Sequence, residues 1–277
     1  MNIKITIICE NMASLEGLIG EHGFSALIEV DDDLILFDTG QGLSFFHNVL
    51  KLRLFEKIKN TKRIFLSHGH YDHTGGILEI LKLTGEKEII AHPDIFDKKF
   101  YLKGKIKRYI GIPFSKEIIE VNGGKFILVD QPYEFSKSIL TTGEIPRTVA
   151  FENGEEDLFV EKEGIFLKDK LMDDQALIIK SPYGLIIILG CAHSGVINTI
   201  KHALELTGYE DIFFIVGGMH LMSATEERIQ KTIEALKSYK VKKIGLSHCT
   251  SFYAASKIYS VLKDSAFYAG CGYIFSL

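Results

Sequence analysis

Short apolar runs punctuated by polar turns dominate the first third of the chain. Ile3–Cys9, Ser25–Val30 and Leu34–Phe37 each read as a strand, with Asp31-Asp32-Asp33 turning the chain between the last two. The spacing changes over Leu43–Phe55 to that of a helix. Arg63–Leu66 is again a strand, followed by a helix through Ile77, Leu78, Ile80 and Leu81 to about Leu83, and by a strand at Glu88–Ala91. From about residue 94 to 170 this regularity breaks down into shorter pieces such as Phe126–Val129 and Leu158–Val160. It resumes with a hairpin, Ala176–Lys180 and Leu185–Leu189 across Ser181-Pro182-Tyr183-Gly184. Then come a helix through Ile197, Ile200 and Ala203, a strand at Ile212–Val216, a helix through Ile229, Ile233 and Leu236, and a strand at Lys243–Leu246. A helix over Ala254–Leu262 and a strand at Tyr273–Phe275 complete the pattern. Strand, polar turn and helix in repetition predict an α/β fold. We read one domain over residues 1–277 with an inserted lid at about 94–170.

Bulk properties narrow the classes. At 277 residues the chain can bury a large core, and with 46% hydrophobic and 25% charged residues it is ordinary globular material. A net charge of -4 argues against a polyanion-binding body, so nucleic acid is not an expected partner. The apolar run at Met1–Glu10 alternates as a strand and is too short for a secretory signal, and no run is long enough to span a bilayer. Cys9, Cys191, Cys249 and Cys271 stand far apart without a CxxC pair, which points to reduced thiols in a cytoplasmic protein.

One stretch concentrates chemistry: Ser67-His68-Gly69-His70-Tyr71-Asp72-His73-Thr74-Gly75-Gly76. Three imidazoles and a carboxylate on one strand-to-helix turn suit zinc, iron or manganese. Three further strands end alike, at His193, His220 and His248, each beside glycine or Ser/Thr. Carboxyl ends of strands form the ligand crevice of α/β sheets, so these histidines can converge. Cys249, next to His248, reads as a small buried residue. His47 and His202 fall in helical patterns, and nothing beyond its place at a strand end marks His92.

Two features suggest anion binding. Phe96–Arg108 carries six cations against one acid, which fits either a solvated face or a basic lid over an anionic substrate. Arg147, in Thr142–Thr148, is either a phosphate fork or the partner of Glu144.

The pattern His68-x-His70-x-Asp72-His73 resembles the signature of the metallo-β-lactamase superfamily. That resemblance implies a four-layer αβ/βα sandwich. It also implies two divalent metal ions, zinc before iron or manganese, the first held by His68, His70 and His193 and the second by Asp72, His73 and His248. Asp38 matches an aspartate that orients a ligand, although a turn or cap role suits it too. The bridging aspartate of many dinuclear members has no counterpart, because its strand ends in Gly217-Gly218-Met219-His220. Either His220 reaches the metals or lines the pocket, or a substrate or water oxygen bridges. Gly-Gly-x-His-Leu, with Glu21–Ser25, Gly143–Arg147, Asp173–Leu177, Gly190–His193 and His248–Thr250, resembles the subgroup of 7,8-dihydropterin-6-methyl-4-(β-D-ribofuranosyl)aminobenzene-5'-phosphate synthases of methanopterin biosynthesis.

The expected function is accordingly a metal-dependent hydrolase acting on a phosphate-bearing small molecule, with Asp72, His220 and Asp38 serving the chemistry. Lys103, Lys105, Arg147 and His22 would bind substrate. The alternative is the subgroup's transferase reaction, in which a pterin-methyl diphosphate loses pyrophosphate. A non-catalytic redox or metal-binding module is the third reading, weakened by the lack of flavin and iron–sulfur motifs. A homo-oligomer is compatible with all three.

Overall fold

A computed structural model describes residues 1–152 and 154–277. The chain divides into two compact units. The first comprises Met1–Val129, Glu155–Asp173 and Gly270–Leu277, and the second Asp130–Gly154 and Asp174–Ala269.

The first unit is built on a seven-stranded sheet in the order Ile274–Ser276, Ile3–Cys9, Ser25–Val30, Asp33–Phe37, Arg63–Phe65, Lys87–Ala91 and Gly124–Leu128. Its first three pairings are antiparallel and its last three parallel. Near-continuous apolar strands such as Ile3–Cys9 are what a sheet covered on both faces requires. Helix Ile77–Thr84 buries Ile77, Ile80 and Leu81, the 3.6-residue stripe legible in the sequence. They join Leu36, Phe45, Val49, Ile58, Ile64, Leu66 and Ile89 in one core. Each fully buried side chain of this kind contributes about 1.5–3 kcal/mol of transfer free energy.

The helix expected over Leu43–Phe55 is two helices, Phe45–Lys51 and Phe55–Asn60. The break falls at Leu52–Leu54, where Arg53 takes a φ of +56°. Its place in the left-handed region ends the first helix and lets Leu54 turn into the core.

The run Phe96–Arg108 also takes shape here. Lys98–Lys103 and Ile106–Tyr109 form a hairpin turning at Gly104, and with Leu158–Lys162 and Ile165–Lys168 they make a four-stranded antiparallel sheet. A small core of Ile110, Leu158 and Leu171, with Tyr71 and Tyr101, lies against it.

The second unit repeats the pairing scheme. Its sheet runs Ala266–Tyr268, Lys243–Ser247, Ile212–Gly218, Gly184–Leu189, Ala176–Ser181, Ile139–Thr141 and Glu134–Ser136. The first three pairings are parallel and the last three antiparallel. Helices Val196–Thr207, Glu226–Ser238 and Phe252–Leu262 contribute Ile197, Ile200, Ile229, Ile233, Leu236 and Ile258 to its core. Among the described residues no helix is long and apolar enough to cross a membrane.

Candidate metal centre

The His-rich stretch leaves strand Arg63–Phe65 as an extended turn and enters the short helix Tyr71–Thr74. His68, His70, Asp72 and His73 are all buried there. Gly69 is required between the first two histidines, because a Cβ at that position would lie 2.4 Å from the Ile95 carbonyl oxygen.

Asp38 holds the turn from below. Its carboxylate accepts the Ser67 N–H at 2.7 Å, the Ser67 hydroxyl at 2.8 Å and the Nδ1–H of His73 at 2.7 Å. Since Ser67 Oγ spends its proton on Asp38, it can only accept from His68 Nδ1, 2.9 Å away. Both imidazoles are thereby fixed as Nδ1–H tautomers with the Nε2 lone pair available. Asp38 reaches this position through a φ of +53°, uncommon for a non-glycine residue. Thr39 adds a clamp, its N–H and hydroxyl both bonding the His73 carbonyl, at 2.8 and 2.9 Å.

The donors fit a divalent cation. His68 Nε2 and His70 Nδ1 are 3.1 Å apart, close to the about 3.3 Å separating two nitrogens on one tetrahedral zinc with bonds of about 2.0–2.1 Å. Burial, reinforced by the neighbouring imidazoles, pushes His68 well below the ordinary histidine pKa. His70 is lowered to about 3, chiefly by burial. Neutral imidazoles are the form that ligates metal. Asp72 Oδ2 lies 3.8 Å from His73 Nε2 and 3.1 Å from Nε2 of the half-exposed His22.

A buried charge cluster pins the turn from the other side. Asp173 Oδ2 accepts the Gly69 N–H at 2.7 Å, and Asp173 Oδ1 accepts from Lys99 Nζ at 2.9 Å. Lys99 also bonds Asp169, at 3.0 Å. Burial alone would lower the lysine pKa and raise the aspartate's, but their mutual attraction outweighs it, leaving Lys99 raised and Asp173 lowered.

The basic run therefore splits by position. Lys99 is buried in that cluster, and the Arg108 guanidinium lies over the Tyr71 ring at 5.5 Å, beside the metal turn. The Tyr71 N–H bonds the Ile110 carbonyl at 2.9 Å, tying the hairpin to the turn. Lys103 and Lys105 sit exposed near the hairpin tip, and Lys103 pairs with Asp157 at 2.9 Å.

In the second unit, three adjacent parallel strands run toward His193, His220 and His248. Strain collects there: Ala192, His220 and His248 have φ values of +53°, +45° and +49°. Each such residue costs on the order of 1–3 kcal/mol and persists only where surroundings enforce it. The His193 and His220 rings are 4.1 Å apart. Arg147 Nη1 donates to the His193 carbonyl at 3.1 Å. Asp174, its carboxyl pushed up by burial, accepts the Ser194 N–H at 2.8 Å.

Thiols join this set. Sγ of Cys191, Sγ of Cys249 and a ring nitrogen of His248 lie within 4.8 Å of one another, and Cys191, His193 and His220 do likewise. All four cysteines are buried, and none is in a disulfide. The remaining histidines are structural: His92 accepts the Asp94 N–H at 3.0 Å, while His47 and His202 bond the carbonyls of Gly17 and Thr142 at 2.7 and 2.9 Å.

Comparison with known proteins agrees with this geometry. The profile described as Metallo-beta-lactamase superfamily matches residues 18–199. A 7,8-dihydropterin-6-methyl-4-(beta-D-ribofuranosyl)-aminobenzene-5'-phosphate synthase of Methanocaldococcus jannaschii is 34% identical, over 95% of this chain and 92% of its own. An uncharacterized protein of the same archaeon is 33% identical, over 92% and 93%. The crystal structure of Tm1679, described as a metal-dependent hydrolase of the beta-lactamase superfamily, superposes with a TM-score of 0.82 at 29% identity, covering 99% of each chain.

Proposed function

This chain belongs to the metallo-β-lactamase superfamily and is an enzyme of that fold, and we propose that it is a metal-dependent hydrolase of a phosphate-bearing small molecule, using two divalent cations with zinc foremost. The proposed ligands in the first unit are His68, His70, Asp72 and His73; His193 and His248 are the further ligands that the sequence resemblance implies. The observation that carries the reading is the pair His68 Nε2 and His70 Nδ1, 3.1 Å apart, with the tautomer of His68 set through Ser67 and Asp38. A cation held by these residues would supply Lewis acidity, lowering the pKa of water toward neutrality and polarising a phosphoryl oxygen.

The chain's own residues do the rest. Asp38 keeps the His73 ring oriented, and His22 links the Asp72 carboxylate to solvent. His220, half-buried beside His193, is the proposed proton donor to a leaving oxygen. Arg108, beside Tyr71, is the basic residue best supported for the anionic group. Arg147 is committed to the His193 carbonyl through one guanidinium nitrogen, and so supports substrate binding by holding that loop. Lys103 and Lys105 serve from the hairpin tip.

A second reading has one observation in its favour, the 34% identity over 95% of the chain to a synthase. In that reading the same donors assist departure of pyrophosphate from a pterin-methyl diphosphate. The test is elemental analysis of the purified protein, then assay of phosphomonoesters, phosphodiesters, diphosphates and neutral esters, with the Arg108→Ala variant in parallel. Hydrolysis of phosphate substrates that drops at least tenfold in kcat/KM for Arg108→Ala, with neutral esters unaffected, supports the hydrolase. Pyrophosphate release only when an aminobenzene acceptor is added supports the transferase. A metal-free protein that takes up no metal sinks both.

A further inference from the structure

Strand Ile212–Gly218 closes on two glycines, at the position where the sequence resemblance implies a carboxylate. The packing explains the glycines. A Cβ at Gly217 would lie 2.1 Å from the Leu189 carbonyl oxygen, and one at Gly218 would lie 2.5 Å from Cys249 Sγ. The volume a side chain would enter at this strand end is thus occupied by a thiol from the next one.

That thiol is held in place. Its Sγ accepts the His220 N–H at 3.3 Å, and the Cys249 carbonyl receives the N–H groups of Leu221 and Met222 at 3.1 and 3.2 Å. Thr250 Oγ1 accepts the Met219 N–H at 3.1 Å. The segment after one strand is therefore laced to the segment after its neighbour, with the sulfur in the seam. Cys191 Sγ and a His248 nitrogen share its vicinity, all three within 4.8 Å. Ligand atoms on a tetrahedral zinc with Zn–S bonds of about 2.3 Å lie about 3.3–3.8 Å apart, so side-chain rotations of about an ångström close the set. An N–H donated to sulfur is the kind of outer hydrogen bond that orients a ligating group.

We propose that Cys191, Cys249 and His248 form a thiolate–imidazole metal site, in which Cys249 supplies the anionic ligand that the glycine strand end lacks. The site takes a sulfur-accepting divalent cation, zinc in preference to manganese or magnesium. Each thiol releases its proton to solvent as the metal binds, so no oxidant or reductant is involved. The proposal rests on the metal-dependent reading above in that it shares His248, and it adds what kind of metal that histidine helps to hold.

The test is the absorption spectrum of the full-length protein stripped by chelator and titrated with cobalt(II) in the absence of oxygen. We expect a near-ultraviolet thiolate-to-cobalt charge-transfer band, reduced at least by half in Cys249→Ser and in Cys191→Ser. Cys9→Ser leaves it unchanged. Zinc affinity, measured by competition with a chromophoric chelator, falls at least tenfold in Cys249→Ser, while manganese affinity does not change. Cobalt bound with visible d–d bands but no charge-transfer band in the unaltered protein overturns the thiolate site and leaves the metal-dependent enzyme standing. No cobalt uptake at all overturns both. The wild-type spectrum decides this even where a serine variant fails to fold.

Discussion

Replacing Lys99 by Met keeps the aliphatic stem and deletes one buried ammonium. Lys99 and Asp173 are 1% and 0% exposed at their side chains, with Nζ at 2.9 Å from Asp173 and 3.0 Å from Asp169. After the substitution Asp173 keeps only the Gly69 N–H, and a carboxylate remains charged in the interior next to a second one. Removing one partner of a buried pair costs about 3–5 kcal/mol, a large share of the about 5–15 kcal/mol that holds a domain together. Asp173→Asn is milder, about 1–3 kcal/mol, because Lys99 still pairs with Asp169 and the amide oxygen can accept from Gly69. The double variant should therefore be less destabilised than the sum of the singles. Urea unfolding of metal-free protein at pH 7 measures all three. Acidification gives an independent check. Asp173 is depressed in the folded state, so its stabilisation is present above the ordinary aspartate value and is lost as pH falls through the folded one. The gap between wild type and Lys99→Met should accordingly shrink toward acid pH. A Lys99→Met protein within about 1 kcal/mol of wild type at pH 7 would refute the claim that this cluster fixes the metal turn.

Three further outcomes follow from the same geometry. Asp38→Asn keeps the shape but weakens the acceptor that sets His73 directly and His68 through Ser67, and metal affinity should fall about 10–100-fold; unchanged affinity in a chelator competition would remove Asp38 from the metal's support. Metal-free protein should lose stability as pH falls from 7 to 5, because His68 and His70 resist protonation when folded and accept it when unfolded. Each contributes up to about 2 kcal/mol over that span, and His70→Gln should flatten the slope seen in urea melts. Gly217→Ala forces a methyl group onto the Leu189 carbonyl at 2.1 Å and a side chain onto a φ of +126°; it should destabilise by more than about 2 kcal/mol, and a melting temperature equal to wild type would contradict the close strand approach.

Much of the fold was legible because its signals are local. Apolar strands, the Ile77–Leu81 stripe and the histidine ends of three parallel strands all repeat within a few residues, and the structure places them as read. Arg53 left no such mark, since arginine has no turn chemistry of its own, and one expected helix became two. The basic run is exposed at Lys98, Lys103, Lys105, Lys107 and Arg108, as a solvated face would be, but Lys99 departs from it for a related reason. Lys98 and Lys99 are adjacent and chemically identical, yet on a strand they face opposite ways, one 67% exposed and the other 1%. Only the alternation of the Lys98–Lys103 strand, once paired, separates the solvated lysine from the buried one.

The site divides along the same line. His68, His70, Asp72 and His73 are contiguous, so they could be read together as candidate ligands, and the aspartate before Thr39-Gly40 hydrogen-bonds the His73 ring. What arranges them is not contiguous. Ser67 acts through Asp38, 29 positions away, Gly69 through Asp173 at 104 positions, and Cys249 meets Cys191 across 58. No spacing rule reports such pairs, because they exist only after the sheets form. The two glycines at Gly217–Gly218 show the consequence most clearly. In the sequence they stand for a missing carboxylate, a subtraction from the metal site; in the folded chain they are the clearance that lets a sulfur occupy that position. A loss at one strand end is therefore read correctly only together with the gain at its neighbour, and that pairing is a property of the sheet rather than of either motif.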